Sequence, residues 1–168
     1  IRNGNNQKYE HTFQLGILGI DLASEGPISR KHGSSYIFNY RFTTTSLATR
    51  NDMNLKYQDL SFKLNFPTRK AGTFSIWGIG LIDRYKPEAI DRDEWETQGD
   101  RQSGNTAFDK AAGGLTHKYL INADTYIRSS LAATYSKDRT RADQMTEDDK
   151  LVHVGDIRNS KWDIVFNS

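Results

Sequence analysis

The chain runs to 168 residues, with 23 Lys+Arg against 21 Asp+Glu, a formal charge of +2 and no cysteine. That length suits one all-β domain, and the near balance of charge supplies no basic field for nucleic acid. The missing thiols exclude disulfides, thiolate catalysis and cysteine-based zinc sites. No run of about 20 apolar residues is present, so no spanning helix is expected, which leaves a spanning β-barrel open. The mean hydropathy of -0.73 favours a soluble protein, although long charged loops give the same average.

In chain order the strand candidates are Thr12–Leu22, Ser34–Thr45, Tyr57–Phe66, Thr73–Tyr85, Ala111–Tyr119, Thr125–Lys137 and Lys161–Phe166. Each alternates, or is rich in β-branched and aromatic residues, and is bounded by Gly, Pro, Asn or Asp. Two alternate without a slip. Tyr36, Phe38, Tyr40 and Phe42 oppose Ile37, Asn39, Arg41 and Thr43, while Leu60, Phe62, Leu64 and Phe66 oppose Ser61, Lys63 and Asn65. Successive strand residues face opposite sides, so each run has one apolar and one polar wall. No stretch has a convincing helical period, and Ala142 to Leu151 holds a turn of helix at most.

The connections differ in length. Pro67–Gly72 and Leu120–Asp124 are short, Lys86–Lys110 and Asp138–Ser160 are long and charged, and Ser46–Lys56 is intermediate. Short turns at one end of a sheet and long loops at the other suit an outer-membrane barrel. Strands as long as Thr73–Tyr85 and Thr125–Lys137 match the roughly 9–11 residues that cross a bilayer at a tilt. Aromatics near strand ends (Tyr36, Tyr57, Tyr85, Tyr119, Tyr126, Tyr135 and Trp162) suit interfacial girdles. The expected fold is an all-β antiparallel meander of about seven strands, part of a transmembrane β-barrel wall. Residues 1–168 then form one partial barrel domain of a longer polypeptide, an expectation suggested by the absent initiator Met and by the strand-like final residues Trp162–Ser168.

Three stretches carry a resemblance: Phe13–Ile28, Gly33–Leu47 and Tyr57–Gly80. They contain, in order, Glu25-Gly26-Pro27, Asn39-Tyr40-Arg41 and Phe66-Pro67-Thr68. Together they resemble the barrel portion of TonB-dependent outer-membrane receptors of the Bacteroidetes type, over roughly the first half of the chain. The resemblance implies an outer-membrane location and a large barrel closed by a plug. It further implies an energy-coupling inner-membrane complex acting through that plug, and uptake of a nutrient such as a glycan, iron chelate or peptide. The chain departs from the pattern in having no recognisable plug, energy-coupling box or terminal aromatic strand.

Asn39, Arg41, Ser61, Lys63, Asn65 and Arg128 are the lumen-facing candidates on this account, and Phe38, Phe42, Leu60, Phe62 and Leu64 lie on the apolar side. Trp95 and Phe108, placed in the long loop, are the loop ligand-contact candidates. Gly78, Gly80, Gly113 and Gly114 read as places where a strand bends or a bulky ring comes close. His11, His32, His117 and His153 lack metal-ligand spacing, and the acidic groups Asp91–Asp100 and Glu147–Asp149 read as solvated loops. No catalytic group, metal or cofactor is expected, and the chain is not read as an enzyme. The alternative account is a soluble β-sandwich module binding carbohydrate or protein, with Trp95 in its binding loop.

Overall fold

The computed structural model describes residues 1–44, 54–87, 89 and 91–168. Eight strands follow one another: β1 (Glu10–Gly16), β2 (Gly19–Ser29), β3 (Ser34–Thr44), β4 (Asn54–Pro67), β5 (Thr73–Lys86), β6 (Gln102–Leu120), β7 (Tyr126–Met145) and β8 (Leu151–Asn167). All pair antiparallel, each with its chain neighbours, in a single sheet of order β1 to β8. The protein is an all-β meander. Its two edge strands do not pair with each other, so the sheet stays open among the described residues.

The strand count corrects the expected seven. Thr12–Leu22 is not one strand but a hairpin, with β1 and β2 joined through Ile17 and Leu18. The turn is hidden in the sequence because its tip is apolar. Gly19 adopts φ +154, a conformation that L side chains rarely take, which lets the chain reverse there.

The long loops are corrected as well. Lys86–Lys110 shrinks to residues 87–101 with two 3-10 turns, because β6 already starts at Gln102. Asp138–Ser160 is mostly strand: β7 runs to Met145 and β8 starts at Leu151. Between them Thr146 N–H donates to Lys150 O at 2.9 Å, and Asp149 sits at φ 56. Residues 102–110 and 138–145 lack an apolar alternation because both their faces are mostly polar. Backbone pairing from Gln102↔Gln144 to Asp109↔Lys137 holds them, with cross-strand ion pairs in support. The Ser46–Lys56 connection lies outside the described residues as far as 53, and its last residues are already β4.

The connections at 30–33, 68–72 and 121–125 share one end of the sheet and are all short. At the other end, 17–18 and 146–150 are tight and 87–101 is long. β6, β7 and β8 have 19, 20 and 17 residues and project beyond β5 at this second end. Such lengths are well above the five or six residues common in globular sheets.

Candidate functional site

Register assigns every strand residue to one of two faces. Leu15, Ile20, Phe42 and Gln58 align across β1 to β4; Phe13, Leu22, Tyr40, Leu60, Gly80, Ala111, Tyr135 and Trp162 align across all eight strands. One step nearer the short-turn end come Phe38, Phe62, Gly78, Gly113, Ala133 and Ile164, followed by Tyr36, Leu64, Ile76, Leu115, Leu131 and Phe166. This face is a continuous apolar belt. Its side chains are open: Leu15 is 72% exposed, Leu115 53% and Ile164 76%.

The belt ends abruptly at the second end. Beyond Ile82 the same face carries Arg84, Asp109, Lys137, Arg139, Arg141, Asp156 and Arg158. Asp109 bridges Arg84 and Arg139, the latter at 3.0 Å, tying three strands together. At the bulge in the β7–β8 ladder Asp143 accepts from His153 Nδ1 at 2.8 Å and pairs with Arg141 at 3.0 Å. Rings mark both margins of the belt. Tyr135 and Trp162 sit 4.4 Å apart next to the charged margin, and Phe74 stacks on His117 at 4.4 Å by the short turns.

The opposite face is mostly polar, and some of its polar groups are covered. Ser35 is 1% exposed, Asn65 6% and Ser75 8%, whereas Pro27 and Ala107 are the only buried apolar side chains among the described residues. A globular domain has the reverse arrangement, so exposed large apolar side chains together with buried polar ones carry the information here.

All six lumen-facing candidates lie on this polar face. Asn39 donates to Asp21 at 3.0 Å, and Arg41 pairs with Asp21 at 3.5 Å and Asp59 at 4.0 Å. Ser61 aligns with Asn39 and Ile79, and Ser75 Oγ donates to Asn65 Oδ1 at 3.0 Å. Lys63 donates to the Ile1 carbonyl at 3.1 Å. Arg128 stands opposite Lys118 in the β6–β7 ladder. The segment before β1 lies over this face too, where Arg2 pairs with Glu25 and Asn5 N–H donates to Glu25 at 2.8 Å. Phe38, Phe42, Leu60, Phe62 and Leu64 all fall on the belt.

The loop candidates part company. Trp95 is in the 87–101 connection, with the Arg101 guanidinium 4.6 Å from its ring centre. Phe108 is corrected from loop to strand: it lies in β6 between Asp83 and Asp138, on the polar face. One carboxylate oxygen of each of these aspartates is buried without a hydrogen-bond partner among the described residues. In the same connection Asp100 accepts from the backbone N–H groups of Thr97 and Glu96 and from Thr97 Oγ1 at 3.0 Å. These bonds favour the charged form and hold its carboxyl below the usual carboxylate range.

The glycines bring rings close to the sheet. A Cβ on Gly78 would meet the Phe62 ring at 2.6 Å, and one on Gly114 would meet Trp77 Cε2 at 3.2 Å. Thus Phe62 lies over Gly78 on the apolar face and Trp77 lies over Gly114 on the polar one. Sequence reasoning missed Trp77 and Lys118 as polar-face groups. Their alternation with Ser75 and Thr116 was a usable signal, but the strand register that joins them was not legible.

The arrangement defines a class: an open antiparallel meander with an apolar belt on one face and a polar, partly covered opposite face. Comparison of the chain with protein-family models, with curated proteins and with solved structures finds no match.

Proposed function

We propose that this chain is a stretch of the wall of an outer-membrane β-barrel, in a TonB-dependent receptor that imports a nutrient. The observation that carries this is the exposed belt, which crosses all eight strands on one face and stops at a charged margin. Lipid is the solvent that matches such a face, and a water-filled or plugged lumen matches the polar one. The Tyr135–Trp162 pair then sits at one headgroup level, and the charged upper parts of β6 to β8 stand above the bilayer. Further strands of the same barrel continue the sheet from the unpaired edges of β1 and β8, since an open edge in hydrocarbon leaves backbone groups unsatisfied. The plug and the inner-membrane energy-coupling complex supply the work of transport, and this segment performs no chemistry of its own.

Separating outer-membrane from soluble fractions and sizing the polypeptide that carries this sequence tests the proposal. A species several times 19.2 kDa in the outer membrane is expected. A 19.2 kDa species in the soluble fraction would refute it.

A further inference from the structure

The polar face at the short-turn end holds a groove of about 790 Å³, within the range of small-molecule sites. Three aligned rows build it, and Ile1 and Asn3 of the segment before β1 line it as well, with the Ile1 carbonyl accepting one of the three Lys63 ammonium protons. The middle row is Asn65, Ser75, Thr116 and Ser130, direct partners across β4 to β7, which offers hydroxyl and amide groups in a line. On one side stands Lys63, next to Trp77 lying over Gly114. On the other side Lys118 and Arg128 face each other, and the Lys118 ammonium sits 4.4 Å from the centre of the Tyr126 ring. Arg128 and Lys63 both line the groove.

Three cations thus surround a row of hydrogen-bonding groups, and no carboxylate lines the groove among the described residues. Like charges directly opposite on neighbouring strands destabilise a sheet, so the Lys118–Arg128 pairing is unfavourable by itself. An anion relieves it, and bonds from ammonium or guanidinium to carboxylate or phosphate are the strong kind. The Trp77 face adds a flat apolar wall for the body of the ligand.

We infer that this groove binds an anionic solute, carrying carboxylate or phosphate groups, with Lys63 and Arg128 gripping it from opposite sides. The inference rests on the outer-membrane barrel proposed above and narrows its ligand class: the solute meets this site at the short-turn mouth of the lumen.

The test is isothermal titration of citrate, and separately of inorganic phosphate, into the native polypeptide purified in detergent from the outer membrane. Citrate is expected to bind saturably and to weaken as salt screens the charges. Lys63→Gln and Arg128→Gln should each weaken it about tenfold or more, the ordinary weight of a charge-assisted bond, while remaining in the outer-membrane fraction. Binding of citrate alone identifies a carboxylate site, and binding of both probes a general anion site. Absence of binding by the outer-membrane protein, or undiminished binding by both variants, overturns this inference and leaves the barrel standing. Recovery of the protein in the soluble fraction overturns the barrel proposal and this site with it.

Discussion

Phe62→Arg is the substitution to which the proposed orientation is most sensitive. Phe62 has apolar neighbours along its strand, Leu60 and Leu64, and across the sheet it faces Phe38 and Gly78. It is therefore in the middle of the belt, where a lipid-facing Arg costs about 2–4 kcal/mol. At roughly 1.4 kcal/mol per decade, the assembled-to-unassembled ratio falls about 30- to 700-fold. Ser61→Arg is the matched control, since it places the same group one residue away on the other face. There it stands beside Asp59 along the strand and aligns with Asn39 and Ile79, so it meets a polar wall. The assay is the urea midpoint for folding into lipid vesicles, together with the heat-modifiable mobility of the outer-membrane form. Phe62→Arg should lose most of its assembled form and Ser61→Arg should keep it. Equal loss, or equal tolerance, would refute the assignment of the two faces.

Three further outcomes follow from the geometry. Gly114→Val would put a Cβ 2.5 Å from the Leu131 carbonyl and 3.2 Å from Trp77, so it should cost about 1–3 kcal/mol by overpacking and shift Trp77 emission; an unchanged spectrum and midpoint would count against the ring's position. Asp109→Ala unties Arg84 and Arg139, but the pairs are partly exposed, so the loss should stay below about 1 kcal/mol and vanish in molar salt; a larger, salt-independent loss would mean burial not seen here. Because the Asp100 carboxyl is held low in the folded turn, its support is complete above the ordinary carboxylate range and is lost as pH falls through the folded value. Protection of the Thr97 and Glu96 amides should therefore drop in acid, and Asp100→Ala, which has no acceptor, should remove it at every pH; pH-independent protection would contradict the cap.

The parts of the fold legible in the sequence are those with one wet and one apolar wall. Tyr36–Phe42 and Leu60–Phe66 alternate because their two faces meet different surroundings, and a side-chain period of two then fixes which residues share a face. That is why Asn39, Arg41, Ser61, Lys63 and Asn65 could be grouped before any register was known. Alternation vanishes where both faces are mostly polar, as in residues 102–110 and 138–145, and strands there look like loops although their backbones pair without a gap from Gln102↔Gln144 onward. The β1–β2 turn was hidden for the opposite reason, because Ile17 and Leu18 are as apolar as the strands they join. The groove was illegible as a unit. Its middle row joins residues from four strands, and only the ladder shows that Asn65, Ser75, Thr116 and Ser130 stand side by side.

Two native tryptophans give the most direct test of which face meets lipid. Trp162 lies on the apolar belt opposite Tyr135, and Trp77 lies on the polar face against Gly114. The native polypeptide is placed in vesicles of brominated lipid, in two forms that each keep one of these tryptophans and replace the others with Phe. The account predicts strong quenching of Trp162 and little quenching of Trp77. Quenching of Trp77 with Trp162 untouched, or of neither, would contradict it.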